Sequence, residues 1–179
     1  ANLALALAKR KKKVLLVDAD LRKPAQNLIF DYPVEKQQDM LSYFNGTSDL
    51  SQIITYNEPH KIYMLCTTKS YNRSNEILLS EKMQEILQYG REHMDYIIVD
   101  TPPMAMVADA EATAGIVDAS IMVVRKNFAL TRDINDASDA LRRCQAEYLG
   151  NIYNAERKLP FNATGDIRQG NAYQYGGKD

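Results

Sequence analysis

Two apolar runs in this chain each end in an aspartate. Residues 14–17 (VLLV) lead into Asp18, and Asp20 lies two residues further on. Residues 96–99 (YIIV) lead in the same way into Asp100. If the runs are neighbouring parallel strands, these carboxylates meet beyond the carboxyl ends of the strands, where ligands of doubly wound sheets bind. Grouped carboxylates at such an edge suit Mg²⁺, a hard cation that binds oxygen and bridges phosphates.

A structural role is the alternative for each of these aspartates. An aspartate at the end of a strand often caps the helix that follows, and this would be the better interpretation of Asp18 or Asp100 alone. Two such residues on separate strands, with Asp20 beside them, favour a metal site instead. The predicted metal ligands and catalytic carboxylates are therefore Asp18, Asp20 and Asp100.

The residues that flank the aspartates indicate phosphate chemistry. Arg22 follows Asp20 and could neutralise a transferring phosphoryl group, although a surface salt bridge that contributes little is the alternative. Asp100 is followed by Thr-Pro-Pro at 101–103. An apolar run, an aspartate and then proline is typical of a Walker B strand end. Arg22 therefore joins the three aspartates as a candidate catalytic residue.

The elements that must position these residues alternate along the chain. Short, continuously apolar runs predict strands buried on both faces at 14–17, 62–66, 96–99, 119–124 and 152–153. Longer stretches with apolar residues at three- and four-residue steps lie between them and predict helices. This alternation predicts an α/β fold with right-handed crossovers and a mainly parallel, doubly wound sheet.

Three helices follow from the periodicity. They are predicted at 79–90 with Gly90 as the end, at 110–117, and at 131–148 with Thr131 as N-cap and Tyr148 on the apolar stripe. Residues 1–8 (ANLALALA) are apolar throughout, so a helix and a strand both stay open there.

The composition excludes several classes of protein. The 179 residues carry 22 Lys plus Arg and 23 Asp plus Glu, for a formal net charge of -1. Near neutrality argues against a protein that coats DNA or a membrane electrostatically. No apolar run approaches the roughly 20 residues of a membrane helix. Two cysteines, Cys66 and Cys144, are too few for a disulfide framework, which suits a reducing cytoplasm.

The character of the chain changes near its C-terminus. Residues 159–179 are polar, contain glycine and have almost no aliphatic side chains, so we expect a disordered tail. The folded domain is predicted to cover residues 1–158. Tyr173 and Tyr175 in the tail have no core to join and are candidate phosphorylation sites, with an inert tail as the alternative.

The phosphate loop of nucleotide enzymes is absent from the 179 residues. That loop reads G-x-x-x-x-G-K-[ST], and its backbone N–H groups and lysine hold the phosphates. Gly165 and Gly170 have the right separation, but Asn171 stands where the lysine is needed. The sequence as it stands therefore contains only part of a nucleotide site.

Several segments resemble the bacterial tyrosine kinases (BY-kinases) that regulate capsular and exopolysaccharide synthesis. VLLVDADLRKP at 14–24 resembles their Walker A′ segment, and DYIIVDTPP at 95–103 resembles their Walker B segment. The blocks at 40–46 and 72–80, the segments at 107–110, 117–119 and 123–125, and the tyrosines of the tail follow the family order. The likeness covers essentially the whole chain.

The resemblance implies a fold related to P-loop NTPases with deviant Walker motifs, ATP as cofactor, and phosphorylation of tyrosines on the tails of neighbouring copies. Asp18 and Asp20 would position Mg²⁺ and accept or orient the tyrosine hydroxyl proton, while Asp100 would hold the metal through water. Which of Asp18 and Asp20 is the base stays open. Asn154 matches an asparagine that recognises adenine in related nucleotide switches, and Arg125 is a weaker candidate for the same pocket.

The resemblance also implies partners. An apolar helix similar to residues 1–8 directly follows the phosphate loop in this family, so the loop and the strand before it are expected just upstream of Ala1, and the chain is expected to be inactive without them. A ring-like homo-oligomer, an opposing tyrosine phosphatase and no nucleic-acid partner are implied. A transmembrane activator would bring the cytoplasmic kinase to the inner face of the plasma membrane.

Two rival functions stay open. A nucleotide-switch ATPase of the partition or cell-division-site type would use ATP to dimerise and to bind DNA or membrane, often through a basic surface or an amphipathic terminal helix. The sequence offers neither feature clearly, and its tyrosine-bearing tail favours the kinase. A non-catalytic subunit with a degraded site is the third possibility, and the retained carboxylates count against it.

Overall fold

The computed structural model of the protein describes residues 1–72, 74–104 and 109–155. In these residues, six strands form two sheets. The strands are β1 (Val14–Asp18), β2 (Thr55–Asn57), β3 (Ile62–Leu65), β4 (Tyr96–Asp100), β5 (Ala119–Arg125) and β6 (Glu147–Asn154). The four-stranded sheet has the order β2-β3-β1-β4, and the two-stranded sheet consists of β5 and β6.

The strand directions confirm the predicted fold class. β1 runs parallel to β3 on one side and to β4 on the other, and β5 runs parallel to β6. The short edge strand β2, which the sequence analysis missed, is antiparallel to β3. The fold is therefore α/β with a mainly parallel sheet arrangement. The strands are divided between two sheets, because β4 and β5 are not paired with each other in the described residues.

The helices connect these strands. Their bounds are α1 (Asn2–Lys9), α2 (Gln26–Ile29), α3 (Met40–Phe44), α4 (Leu50–Ile53), α5 (Ser74–Leu78), α6 (Glu81–His93), α7 (Asp109–Ala114) and α8 (Thr131–Arg143), with a short 3-10 helix at Lys36–Gln38. The structure resolves the open choice at residues 1–8 in favour of a helix. Among the helices that the structure describes, we find no candidate for a membrane span.

Helices cover β1 on both faces, as a doubly wound sheet requires. Leu15 and Val17 belong to one core cluster, which also contains Met83, Ile86 and Leu87 of α6. Val14 and Leu16 belong to a second cluster, which also contains Ala4 of α1 and Met64 of β3. All five residues of β1 are buried. Because successive side chains point to opposite faces, burial on both faces explains the continuous apolar run.

The β5–β6 sheet is much more open than its apolar sequence predicts. Ile121, Val123, Leu149, Ile152 and Tyr153 are between 40% and 60% exposed. Only Val124 of β5 is buried, and no residue of β6 is. The apolar runs therefore located both strands but overestimated their burial, and the run at 152–153 covers only two of the eight residues of β6.

Three helices end at other residues than predicted, and one of them is α7, which ends at Ala114 and not at residue 117. Gly90 does not end a helix, because α6 continues to His93. It instead allows β4 to approach, since a Cβ atom on Gly90 would lie 2.5 Å from Cδ1 of Ile97. The last described helix, α8, ends at Arg143, so Tyr148 lies on β6 and not on the helical stripe. The N-cap of α8 is Leu130. Thr131, the predicted N-cap, is the first residue of the helix.

The predicted tail lies outside the described residues. This applies to the domain boundary at 158, to residues 159–179 and to both tail tyrosines, Tyr173 and Tyr175.

Candidate functional site

Asp18 and Asp100 lie side by side at the carboxyl ends of neighbouring strands. They are the last residues of β1 and β4, and they are partners in the parallel register of the two strands. The backbone N–H of Ala19 donates to the carbonyl oxygen of Asp100 at 2.8 Å, which extends the pairing beyond the last strand residue. The structure therefore brings the two strand-end aspartates to the edge where ligands of doubly wound sheets bind.

Asp18 is fully buried and holds the start of α2. Its Oδ2 accepts hydrogen bonds from the backbone N–H groups of Ala25 and Gln26, both at 2.9 Å. Its Oδ1 is also buried and has no hydrogen-bond partner in the described residues. The capping role that was the alternative for this aspartate is thus real, but it uses only one of the two carboxylate oxygens.

Asp20 and Arg22 lie in the turn that leaves β1. Asp20 is half-buried, and its Oδ1 accepts from the backbone N–H of Lys23 at 3.0 Å. Arg22 is exposed, and its backbone N–H lowers the pKa of Asp20. This local turn keeps the second carboxylate next to the strand end.

Gln26 is a site residue that the sequence analysis missed. Its side-chain Nε2 donates to Oδ2 of Asp100 at 2.6 Å, and the residue is only 3% exposed. No periodicity or motif marks this glutamine, since it follows the Walker A′-like segment as an ordinary polar residue. Only the packing of the α2 start against the ends of β1 and β4 brings it to Asp100.

Burial and mutual repulsion perturb the acids at this edge. Burial raises the pKa of Asp18 from 3.8 to about 6, the N–H groups of Gln26 and Ala25 lower it in part, and the charges of Asp100 and Asp20 raise it further. Burial is also the main cause that raises the pKa of Asp20, with Asp100 adding to it. The three carboxylates therefore act on one another electrostatically, and a bound cation would relieve this repulsion.

The donor set suits a cation that keeps part of its water shell. Within the described residues, no group of three or more His, Cys, Asp or Glu side chains is arranged to hold a metal ion. A direct shell of all three carboxylates is therefore not formed here. Two buried oxygens at this edge, Asp18 Oδ1 and Gln26 Oε1, have no hydrogen-bond partner in residues 1–72, 74–104 and 109–155. Such orphaned acceptors fit Mg²⁺, which often binds through one or two carboxylates and retains several waters.

The two residues proposed for adenine recognition lie at the end of the other sheet. Asn154 and Arg125 are the last residues of β6 and β5, and they are register partners. The Asn154 side chain accepts from the N–H of Ala155 at 2.8 Å, and the Arg125 guanidinium lies 5.3 Å from the ring centre of Phe128. The structure thus brings Asn154 and Arg125 together, but on a different sheet from Asp18 and Asp100.

The comparisons with known proteins agree with this fold. The sequence profile of the AAA domain family matches residues 1–144. A septum site-determining protein MinD from Pyrococcus horikoshii, solved in complex with Mg-ADP, has a TM-score of 0.71 at 21% identity, over 89% of this chain and 66% of that one. At that identity the likeness shows the fold alone. The chain therefore belongs to the AAA domain family and has the P-loop ATPase type of fold.

Two tyrosine kinases have a higher sequence identity to this chain than MinD has. Tyrosine-protein kinase YwqD of Bacillus subtilis is 31% identical over 157 residues, which are 88% of this chain and 65% of YwqD. The kinase domain of the Escherichia coli tyrosine kinase ETK has a TM-score of 0.80 at 25% identity, over 93% of this chain and 65% of that domain. These relatives confirm the predicted resemblance to the bacterial tyrosine kinases. The chain spans about two thirds of each of them.

Proposed function

We propose that this chain is the larger part of an ATP-dependent protein-tyrosine kinase that phosphorylates Tyr173 and Tyr175 on neighbouring copies of itself. One observation carries the proposal. Asp18 and Asp100 end adjacent strands at the edge of a parallel sheet where ligands bind, and two buried oxygens there, Asp18 Oδ1 and Gln26 Oε1, have no hydrogen-bond partner among the residues that the structure describes. The tyrosine kinase names of the relatives supply the reaction class.

In this proposal the three carboxylates have different roles. Asp18 and Asp20 would hold Mg²⁺, and Asp100 would hold one of its waters. When bound, the ion supplies positive charge that neutralises the phosphates of ATP. Asp18 is fully buried and its Oδ2 is bonded to two N–H groups, whereas Asp20 is only half-buried. Asp20 is therefore the carboxylate that an incoming tyrosine can reach.

The proposed reaction transfers the γ-phosphoryl group of ATP to the tyrosine oxygen. The tyrosine oxygen forms a bond to the γ-phosphorus while the bond from that phosphorus to the β,γ-bridging oxygen breaks, and ADP leaves. The hydroxyl proton passes to Asp20 and then to water. A free tyrosine has a pKa near 10, so Asp20 would accept the proton as the bond to phosphorus forms and not before. Arg22, exposed beside this turn, is proposed to contact phosphate or a neighbouring subunit.

The remaining parts of the nucleotide site are proposed from the family resemblance. The phosphate loop would lie upstream of Ala1. Free edges of β4 and β5 support this, because each strand is paired on one side only within the described residues. A parallel strand that leads into the loop could pair there. Asn154 and Arg125 would contact the adenine base from the ends of β6 and β5.

The oligomer and the partner proteins are also proposed from the family resemblance. We propose a ring-like homo-oligomer in which the tail of one copy reaches the site of the next, together with a tyrosine phosphatase that reverses the modification. A transmembrane activator would bring the kinase to the inner face of the plasma membrane and so to capsular or exopolysaccharide synthesis. None of these partners involves nucleic acid.

A nucleotide-switch ATPase is the second candidate function. The similarity in fold to MinD favours it, since the same deviant Walker architecture serves that class. It would hydrolyse ATP without modifying any tyrosine.

A phosphorylation assay separates the two candidates. The full-length protein, with its upstream segment, is incubated with Mg²⁺ and ATP, and the tail peptide is analysed by mass spectrometry. We expect phosphate on Tyr173 or Tyr175, and no phosphate in Asp20→Asn or Asp100→Asn. Asp136→Asn, on the exposed surface of α8, is the matched control and should react like the wild type. Unmodified tails in a protein that hydrolyses ATP would favour the nucleotide-switch ATPase.

A binding experiment tests the proposed position of the phosphate loop. The 179-residue chain alone should bind ATP weakly, and micromolar binding by calorimetry would contradict a loop that lies upstream of Ala1.

A further inference from the structure

Gln26 connects the two strand-end aspartates through separate parts of the same residue. Its backbone N–H donates to Asp18 Oδ2 at 2.9 Å, and its side-chain Nε2 donates to Asp100 Oδ2 at 2.6 Å. Asp18 and Asp100 lie on different strands, 82 positions apart in the chain. One buried residue therefore contacts both carboxylates.

The contact with Asp100 fixes the orientation of the Gln26 amide. A carboxylate only accepts hydrogen bonds, so the NH₂ group must face Asp100 and the carbonyl oxygen must point elsewhere. That oxygen, Oε1, is buried without a hydrogen-bond partner in the described part of the chain, and so is Asp18 Oδ1. Buried acceptors normally have a donor, and an exception requires an explanation such as a bound ion or its water.

We propose that Gln26 is a positioning residue of the cation site, in which its amide NH₂ orients Asp100 and its Oε1 accepts a hydrogen bond from water bound to the cation. This inference rests on the proposed function, which places the cation at Asp18 and Asp100. Partners of this kind, which touch the ligands and not the metal, fix ligand orientation in many metal sites.

The backbone and side-chain contributions of Gln26 can be separated. Any residue except proline at this position keeps the N–H that bonds to Asp18 and supports the start of α2. The bond to Asp100 and the unpartnered oxygen belong to the side chain alone. Gln26→Met has a similar length and volume, so it removes the amide and leaves the capping contact in place.

The test measures cation binding directly, with Mn²⁺ as the probe. Mn²⁺ is titrated into the full-length protein, and free Mn²⁺ is followed by electron paramagnetic resonance. We expect Gln26→Met to weaken binding about tenfold, as loss of an outer-shell partner typically does. Gln84→Met makes the same change on the exposed surface of α6 and should leave binding unchanged. Thermal unfolding without Mn²⁺ confirms that each variant is folded.

A double variant distinguishes positioning from general damage. If Gln26 acts through Asp100, then Gln26→Met should weaken Mn²⁺ binding clearly less in an Asp100→Asn background than in the wild type, because part of its effect is already lost. Full additivity of the two losses, or wild-type binding by Gln26→Met, would overturn the role of Gln26. Should Gln26→Met fail to fold, Gln26→Asn retains an amide that is too short to span the same distance, and it should also weaken binding.

The same titration tells the two proposals apart. If Asp100→Asn weakens Mn²⁺ binding but Gln26→Met does not, only the inference on Gln26 is wrong. If Asp18→Asn and Asp100→Asn both bind Mn²⁺ as the wild type does, the cation site itself is wrong and the inference falls with it. Loss of Mn²⁺ binding in all three variants, without any tail phosphorylation in the wild type, would support Gln26 and contradict the kinase reaction.

Discussion

The two sheets differ in burial although β1 in one sheet and β5 in the other have similar apolar sequences. In β1 every residue is buried, whereas β5 and β6 expose most of theirs. The four-stranded sheet has α1 on one face and α6 on the other, and both helices contribute to buried clusters around β1. An apolar run thus indicates a strand that benefits from cover, but the cover itself depends on which other elements pack against it.

This difference has a consequence for function. The carboxylates extend from the buried strand β1 and its neighbour β4, where packing and hydrogen bonds fix them before any ligand arrives. Asn154 and Arg125 extend from the open β5–β6 sheet. We therefore expect the metal-binding half of the site to be preorganised, and the base-binding half to depend more on further contacts.

The largest expected effect tests the contrast in burial directly. Leu16 in β1 is fully buried, and Leu149 in β6 is 58% exposed. Leu16→Ala should destabilise the protein by about 2–5 kcal/mol, because it removes core volume and leaves a cavity. Leu149→Ala should change stability by less than about 0.5 kcal/mol. Urea unfolding measures both, and equal losses would mean that the β5–β6 sheet is covered after all.

A change at Asp18 should reveal the energetic cost of the buried carboxylate. Its pKa is about 6 in the folded protein against an ordinary value of 3.8, so the folded state binds the proton more tightly than the unfolded state. The unfolding free energy should therefore fall as pH rises from about 4 to about 6. Asp18→Asn carries no charge and can still accept from both N–H groups.

We expect Asp18→Asn to stabilise the cation-free protein by about 2 kcal/mol at pH 7 and to have no such effect near pH 4. Chemical denaturation at the two pH values checks this, with the exposed Asp136→Asn as a control that should show no pH-dependent difference. If Asp18→Asn is instead less stable at pH 7, the carboxylate contributes more through its hydrogen bonds than its burial costs.

The smallest effect concerns the ion pair that joins the two regions. Arg91 of α6 and Asp118, just before β5, lie 2.9 Å apart, and their side chains are 43% and 86% exposed. Exposed pairs of this kind contribute at most about 1 kcal/mol and are screened by salt. Asp118→Asn should therefore lower stability only slightly, and less so at high salt. A loss above about 2 kcal/mol would indicate that the two regions depend on this contact.

Continuous apolar runs predict most strands of this chain, whereas elements that depend on their context have no such local pattern. All five predicted strands are present, but the short edge strand β2 escaped notice because its three residues have no distinctive pattern. The position of Gly90 after an apolar stripe predicts a helix end, whereas its lack of a side chain allows the contact between α6 and Ile97. That contact joins residues from different elements, so no local pattern could reveal it.

The sequence by itself determined the strand-end aspartates, the parallel α/β class and the family, because residue type, order and spacing carry all three. Only the tertiary structure decided that Asp18 and Asp100 are neighbours in register, that the strands divide into two sheets, and that Gln26 joins the two aspartates. The physical reason is that register and hydrogen bonding between distant segments depend on how helices and strands pack together. Spacing along the chain does not specify that packing.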